Sequence, residues 1–196
     1  MPYAGVYSHV TAAALYRMPV PLRLSSPREL HISVPATRRA VDARAIVGHK
    51  VTFRPGDWDG RFGFPVTTPE RTWCDLASLL TLPELVAAGD KLISRRLPQT
   101  SRAALELAVA TYPSRRGIRN LRRGLVLLSD RAESPRESLL RVAIVLAGLP
   151  EPEVNRSVYS ASGKFLGRLD LCCPHLKLSL ERYLEELRTI LDRLSR

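Results

Sequence analysis

The stretch SPRESLLRVAIVLAGLPEPEVNRSVYSASGKFLGRLDL, residues 134 to 171, constrains the fold most, because it carries both kinds of regular structure and marks their boundaries. Ser134 caps a helix, Pro135 takes its first turn, Gly148 ends it and Pro150 forbids its continuation. The residues after Pro150 read as a hairpin turning at Ser162-Gly163-Lys164, and LKLSLE, residues 176 to 181, adds a third strand. A helix followed by strands joined through short turns is the signature of an α+β fold, since parallel strands need long crossovers between them.

Earlier in the chain, SHVTAAALY (8 to 16) predicts a short helix opened by Ser8 or Thr11. LHISVP (30 to 35) and AIVGHKVTF (45 to 53) predict a pair of strands joined by a polar, Arg-bearing connection. RPGDWDGRFGFP, residues 54 to 65, has the Gly, Pro and Asp density of a loop. VTTPERTWCDLASLL then opens a helix, either through Thr67 and Glu70 at capping-box spacing or through Thr68 with Pro69 at the first helical position. Further helices are expected at 82 to 96, 101 to 111 and 114 to 128, and RYLEELRTILDRLSR (182 to 196) is an amphipathic helix. This gives two parts: a mixed front with a helical bundle at 1–130, and a helix with strands at 131–196.

Lys plus Arg number 30 against 19 Asp plus Glu, a formal net charge of +11 with Arg far outnumbering Lys. Such a balance favours polyanions, because the planar guanidinium matches phosphate oxygens two at a time. In the 114 to 128 helix, Arg115, Arg119, Arg122 and Arg123 recur at offsets that share one face. That stripe suits a phosphate backbone, and equally a solvated basic face. The cysteines Cys74, Cys172 and Cys173 have no metal-ligand spacing, and the four histidines lie far apart in sequence, so neither a zinc site nor a disulfide framework is expected. The N-terminus lacks a basic segment before an apolar core, and no run of about 18 apolar residues occurs. The cytoplasm is the expected home, with no membrane contact.

Three carboxylates carry the chemistry the sequence offers. With a two-residue loop at Pro174-His175, Asp170 lies opposite Ser179 and Glu181 projects from the same face, so the two converge. A Mg²⁺ held by Asp170 and Glu181 would bind a phosphate oxygen and activate water, and Glu137 in the first turn of the preceding helix would assist. Each also has a structural explanation: Glu137 follows Ser134 by three residues as in a capping box, Asp170 suits a solvent-facing strand position, and Glu181 suits a surface charge.

Residues 134 to 181 resemble actinobacterial proteins whose C-terminal domain is related to the very-short-patch-repair endonuclease, a PD-(D/E)XK, restriction-endonuclease-like fold. The resemblance rests on the helix with its early Glu, the AGLPEPEVN link, the hairpin, the strand Asp and the following Glu. It implies that Glu137, Asp170 and Glu181 are the catalytic carboxylates and that DNA is the substrate. The preceding SHVTAAALY, LHISVP and VTTPERTWCDLASLL are similar to the effector-side portion of abortive-infection type IV antitoxins, whose usual winged helix-turn-helix is not expected in this chain. The pattern departs after Glu181, where Arg182, Tyr183 and Leu184 replace the family's Glu-x-Asp-Gly turn and following His, and where the closing strands are missing. The expectation is a truncated nuclease-like domain that binds nucleic acid, DNA in preference, with hydrolysis impaired or lost; the alternative is an antitoxin-like regulatory module acting through protein contacts. A protein partner or second copy is expected to cover the exposed sheet edge.

Overall fold

A computed structural model describes residues 5–25, 29–174 and 178–179. The fold is α+β, with a mixed sheet at the front, helices in the middle and a small antiparallel sheet at the end. The front comprises β1 (Val6–Tyr7), α1 (His9–Leu15), β2 (Leu30–Pro35), β3 (Ile46–Val51), β4 (Trp58–Asp59) and β5 (Val66–Thr67). They form a sheet ordered β3-β2-β1-β5-β4. The two predicted strands do pair, in parallel, with Leu30 level with Ile46 and Pro35 with Val51. The expected loop at 54 to 65 instead contributes β4, which pairs antiparallel with β5. Strands of two residues, such as β1, β4 and β5, lack any alternation to read, because their register comes from their neighbours.

Of the two starts offered for the helix near residue 67, the second is realised: Thr68 accepts the Arg71 amide and Pro69 opens α2 (Pro69–Leu76). Thr67 is instead a buried strand residue whose hydroxyl pairs with that of Thr72 at 2.7 Å. Next comes α3 (Leu82–Ile93), opened by a complete capping box between Thr81 and Glu84. Ser101 caps α4 (Arg102–Ala110) through the Ala104 amide. The following helix, α5, spans Ile118–Leu127 rather than 114 to 128, because Gly117 takes a left-handed φ of 77° at its N-cap. Arg115 therefore precedes the helix and does not share its face. Arg102 reaches the far end of α5 and donates to the Leu125 and Leu128 carbonyls at 2.7 and 2.5 Å, satisfying groups that the helix terminus leaves open. Finally, α6 (Pro135–Leu146) begins at Ser134 as the sequence indicates and ends before Gly148 at φ 78°.

The core joins these elements around Trp73, which is fully buried and donates its indole N–H to the Leu85 carbonyl at 2.8 Å. Ala12, Ala13, Leu76, Leu85, Leu92, Leu105, Leu121 and Val142 pack with it. A buried ion pair ties α6 to α3: Arg141 Nη2 meets Asp90 Oδ2 at 3.0 Å, while Asp90 also accepts from Ser138 Oγ and the Ser129 amide, both at 2.7 Å. Ser138 and Arg141 of α6 both close on Asp90 of α3, so the knot fixes the helices' relative rotation.

The hairpin follows as β6 (Glu153–Tyr159) and β7 (Phe165–Cys173), turning through Gly163 at φ 79°. Ala132, Val154 and Leu171, with Leu140, form a small second cluster beneath it. The third strand, β8 (Leu178–Ser179), sets Ser179 opposite Cys172 and Leu178 opposite Cys173. The expected register, Ser179 opposite Asp170, is thus corrected by two residues, because the connection is longer than the two-residue loop assumed. The predicted helix at 182 to 196 lies outside the described residues.

Candidate functional site

Three of the four histidines, distant in sequence, meet where α1, β2 and β3 come together. Ser8 sits at the N-cap of α1, yet its hydroxyl makes no cap; it receives the Ser33 hydroxyl at 2.6 Å and contacts His9 Nδ1 at 2.9 Å. His9, the first helical residue, is buried with a left-handed φ of 48°, a conformation that costs a non-glycine residue energy and recurs at functional sites. Its ring stacks on His49 with centroids 3.7 Å apart and planes at 13°. His49 Nε2 lies 2.9 Å from His31 Nδ1, a bond that requires one ring to donate and the other to accept. The parallel β2–β3 pairing makes this contact possible by placing Ser33 level with His49.

These imidazoles are held neutral. Burial, reinforced by His31 and Arg71, lowers His9 from 6.5 to about 3. Burial, with His9 and His31, lowers His49 likewise to about 3. Burial also lowers His31. Among the described residues, no group of three His, Cys, Asp or Glu side chains is placed to hold a metal ion.

Beside the histidines runs a buried charged network on α2. Arg71 donates through Nε to Asp75 Oδ1 at 2.9 Å, and through Nη1 to Asp57 Oδ2 at 2.5 Å and the Thr52 carbonyl at 2.9 Å. Phe53 and Tyr112 flank the guanidinium, with centroids at 5.3 and 5.4 Å. The Tyr112 hydroxyl donates to Asp75 Oδ1 at 2.8 Å, while Asp75 Oδ2 is buried without a hydrogen-bond partner. Burial raises the Asp75 carboxyl, with Arg71 opposing, and burial pushes the Cys74 thiol well up, so that it is a poor nucleophile. Sequence reasoning took TTPERTWCDL only as a helix start. The available signal was an Arg and an Asp four apart on a helix that also carries Trp73, Cys74 and Leu76, where charge that is buried has to be paired.

A cavity of about 590 Å³ opens between these groups, walled by His9, His49, Asp75 and Tyr112, with Lys50 and Arg116 at its exposed edge.

The carboxylates expected to form a nuclease site lie elsewhere. Glu137 is buried at the start of α6, where its Oε2 accepts the Glu133 amide at 3.0 Å and Asn155 Nδ2 at 2.7 Å, so it closes the helix start and ties it to β6. Asn155, with a φ of 51°, falls between Val154 and Arg156, whose partners are Leu171 and Leu169; this sets it level with Asp170. The fold thus brings Glu137 to the segment of sheet that carries Asp170. Asp170 itself is half-buried on the face opposite Leu171. Glu181 lies outside the described residues. Of the arginines, Arg119, Arg122 and Arg123 are exposed on one face of α5, and Arg115 is exposed just before it. None of the four makes an ion pair among the described residues. No helix among them is long and apolar enough to cross a membrane.

No protein-family model matches the chain. It is 30% identical over 171 residues to Uncharacterized protein MT2308 of Mycobacterium tuberculosis strain CDC 1551 / Oshkosh and, equally, to Uncharacterized protein Rv2248 of strain ATCC 25618 / H37Rv. The similarity covers 87% of this chain, which spans 59% of the length of each of these curated relatives.

Proposed function

We propose that the chain is a cytoplasmic nucleic-acid-binding protein of the PD-(D/E)XK endonuclease-like class that binds DNA without cleaving it. The observation that carries this reading is the face of α5, where Arg119, Arg122 and Arg123 stand exposed and free of ion pairs among the described residues. Such side chains lose little on leaving water for a phosphate, and neutralising phosphates releases counterions. The loss of cleavage is supported by Glu137, whose Oε2 is already occupied by two donors in a capping role. Its fit to a Mg²⁺ shared with Asp170 and Glu181 is correspondingly poor, and no catalytic step is assigned to it.

The test is titration of duplex DNA across a salt series. Changing Arg119, Arg122 and Arg123 together to Glu should weaken binding at least about 10-fold and flatten the slope of log affinity against log salt by about 3. An unchanged slope removes α5 from the interface. Supercoiled plasmid incubated with Mg²⁺ or Mn²⁺ should stay intact with wild type and Asp170→Ala alike; nicking lost only in Asp170→Ala would restore the nuclease reading.

A second reading, an antitoxin-like module working through protein contacts, is favoured by the hairpin tip. There Tyr159 and Phe165 pack edge to face at 5.7 Å, yet both they and Leu166 are more than half exposed. A partner that binds this tip would be released by Phe165→Ser.

A further inference from the structure

We propose that the cavity between the histidine stack and Arg71–Asp75 binds a nucleotide, with its base inside and its phosphate at the Lys50–Arg116 edge. Four features point to this chemistry. The volume of about 590 Å³ lies in the range of small-molecule sites and well above that of a lone phosphate. Lys50 and Arg116 are exposed at the edge and make no ion pair among the described residues, so an anion there meets two uncompensated cations. Arg71 is largely committed elsewhere, because its Nε and Nη1 are held by Asp75, Asp57 and the Thr52 carbonyl.

The partly exposed rings of His49, backed by buried His9, and of Tyr112 give the wall aromatic surface, which suits a planar heterocycle. Asp75 lies behind this wall: its Oδ1 accepts from Arg71 and Tyr112, and its Oδ2 is closed off from solvent with no hydrogen-bond partner. A lone inorganic anion would leave the aromatic wall uncovered, and a cation would be repelled by the edge. The same chemistry belongs to a free nucleotide and to a nucleotide of a single strand, and Arg115 and Arg116, at the approach to α5, are compatible with either source.

Calorimetry with adenosine, guanosine, cytidine and uridine 5′-monophosphates, with ribose 5-phosphate and inorganic phosphate as controls, tests the assignment. At least one nucleotide should bind with sub-millimolar affinity and at least 10-fold more tightly than ribose 5-phosphate. Lys50→Glu with Arg116→Glu, both exposed positions that the fold tolerates, should weaken that binding at least 10-fold. The triple Arg119, Arg122 and Arg123 to Glu variant should leave it unchanged, so failure of the α5 interface and failure of the cavity are read separately. Competition between the nucleotide and a single-stranded oligonucleotide identifies the strand as the source; its absence identifies the free nucleotide. No heat with any nucleotide at millimolar concentration, binding equal to that of inorganic phosphate, or indifference to Lys50→Glu and Arg116→Glu overturns the proposal.

Discussion

His9 and His49 show how single residues respond to what the fold places around them. His9 faces His31 from β2, His49 from β3, and Arg71 and Asp75 from α2, and burial among them holds its imidazole at about 3 against an ordinary 6.5. The unfolded chain therefore takes up a proton first. The stability that His9 contributes is complete above pH 6.5 and is lost as pH drops from there toward 3, by about 1 kcal/mol per pH unit. Glu84, held at about 2 by its bond to Arg23, loses its contribution only below its ordinary 4.5. Urea midpoints between pH 7 and 5 should therefore decline through the histidines, partly offset by Asp90, whose carboxyl burial raises to about 6 so that the folded chain takes up that proton first; His9→Gln should flatten the decline. A pH dependence that His9→Gln leaves unchanged would mean that the stack accepts a proton. Asp75, with its unpartnered Oδ2, is the residue least explained by packing.

Among the elements, α3 meets Trp73 closely enough for glycine to be a requirement. A Cβ at Gly89 would lie 2.4 Å from Leu128 Cδ2 and 2.9 Å from Trp73 Nε1, and the indole cannot move aside without breaking its bond to the Leu85 carbonyl. Gly to Ala inside a helix ordinarily stabilises by up to about 1 kcal/mol. Here Gly89→Ala should destabilise by about 1–3 kcal/mol in urea titration, overpacking prevailing over propensity. Gly117→Ala should also destabilise, since φ is 77° and the new Cβ would stand 2.7 Å from the Ala77 carbonyl carbon. The starts of α2, α3, α4 and α6 were legible because caps act within four residues of sequence: Thr68, Thr81, Ser101 and Ser134 each lie next to what they cap. The start of α5 differs by four residues from the expected 114 because Gly117 is the left-handed residue that precedes the helix.

Across the whole molecule, one large core around Trp73 and one small cluster under the hairpin share the burden unequally. Amides of β6 and β7 should exchange with deuterium well before those of α2 and α3, and Leu171→Ala should speed exchange in the hairpin while leaving α3 protected; equal acceleration of both would make the two clusters one cooperative unit. By itself the sequence determined the α+β class, the capped helices, the β2–β3 pair, the hairpin and the basic surplus, because each depends on residues close in the chain or on composition. Only the tertiary structure decided that His9, His31 and His49 meet, that Arg71 is buried against Asp57 and Asp75, that Glu137 is tied to Asn155 of β6, and that Ser179 faces Cys172. Those contacts join residues separated by loops, and their geometry follows from strand register and helix rotation, which spacing along the chain does not encode.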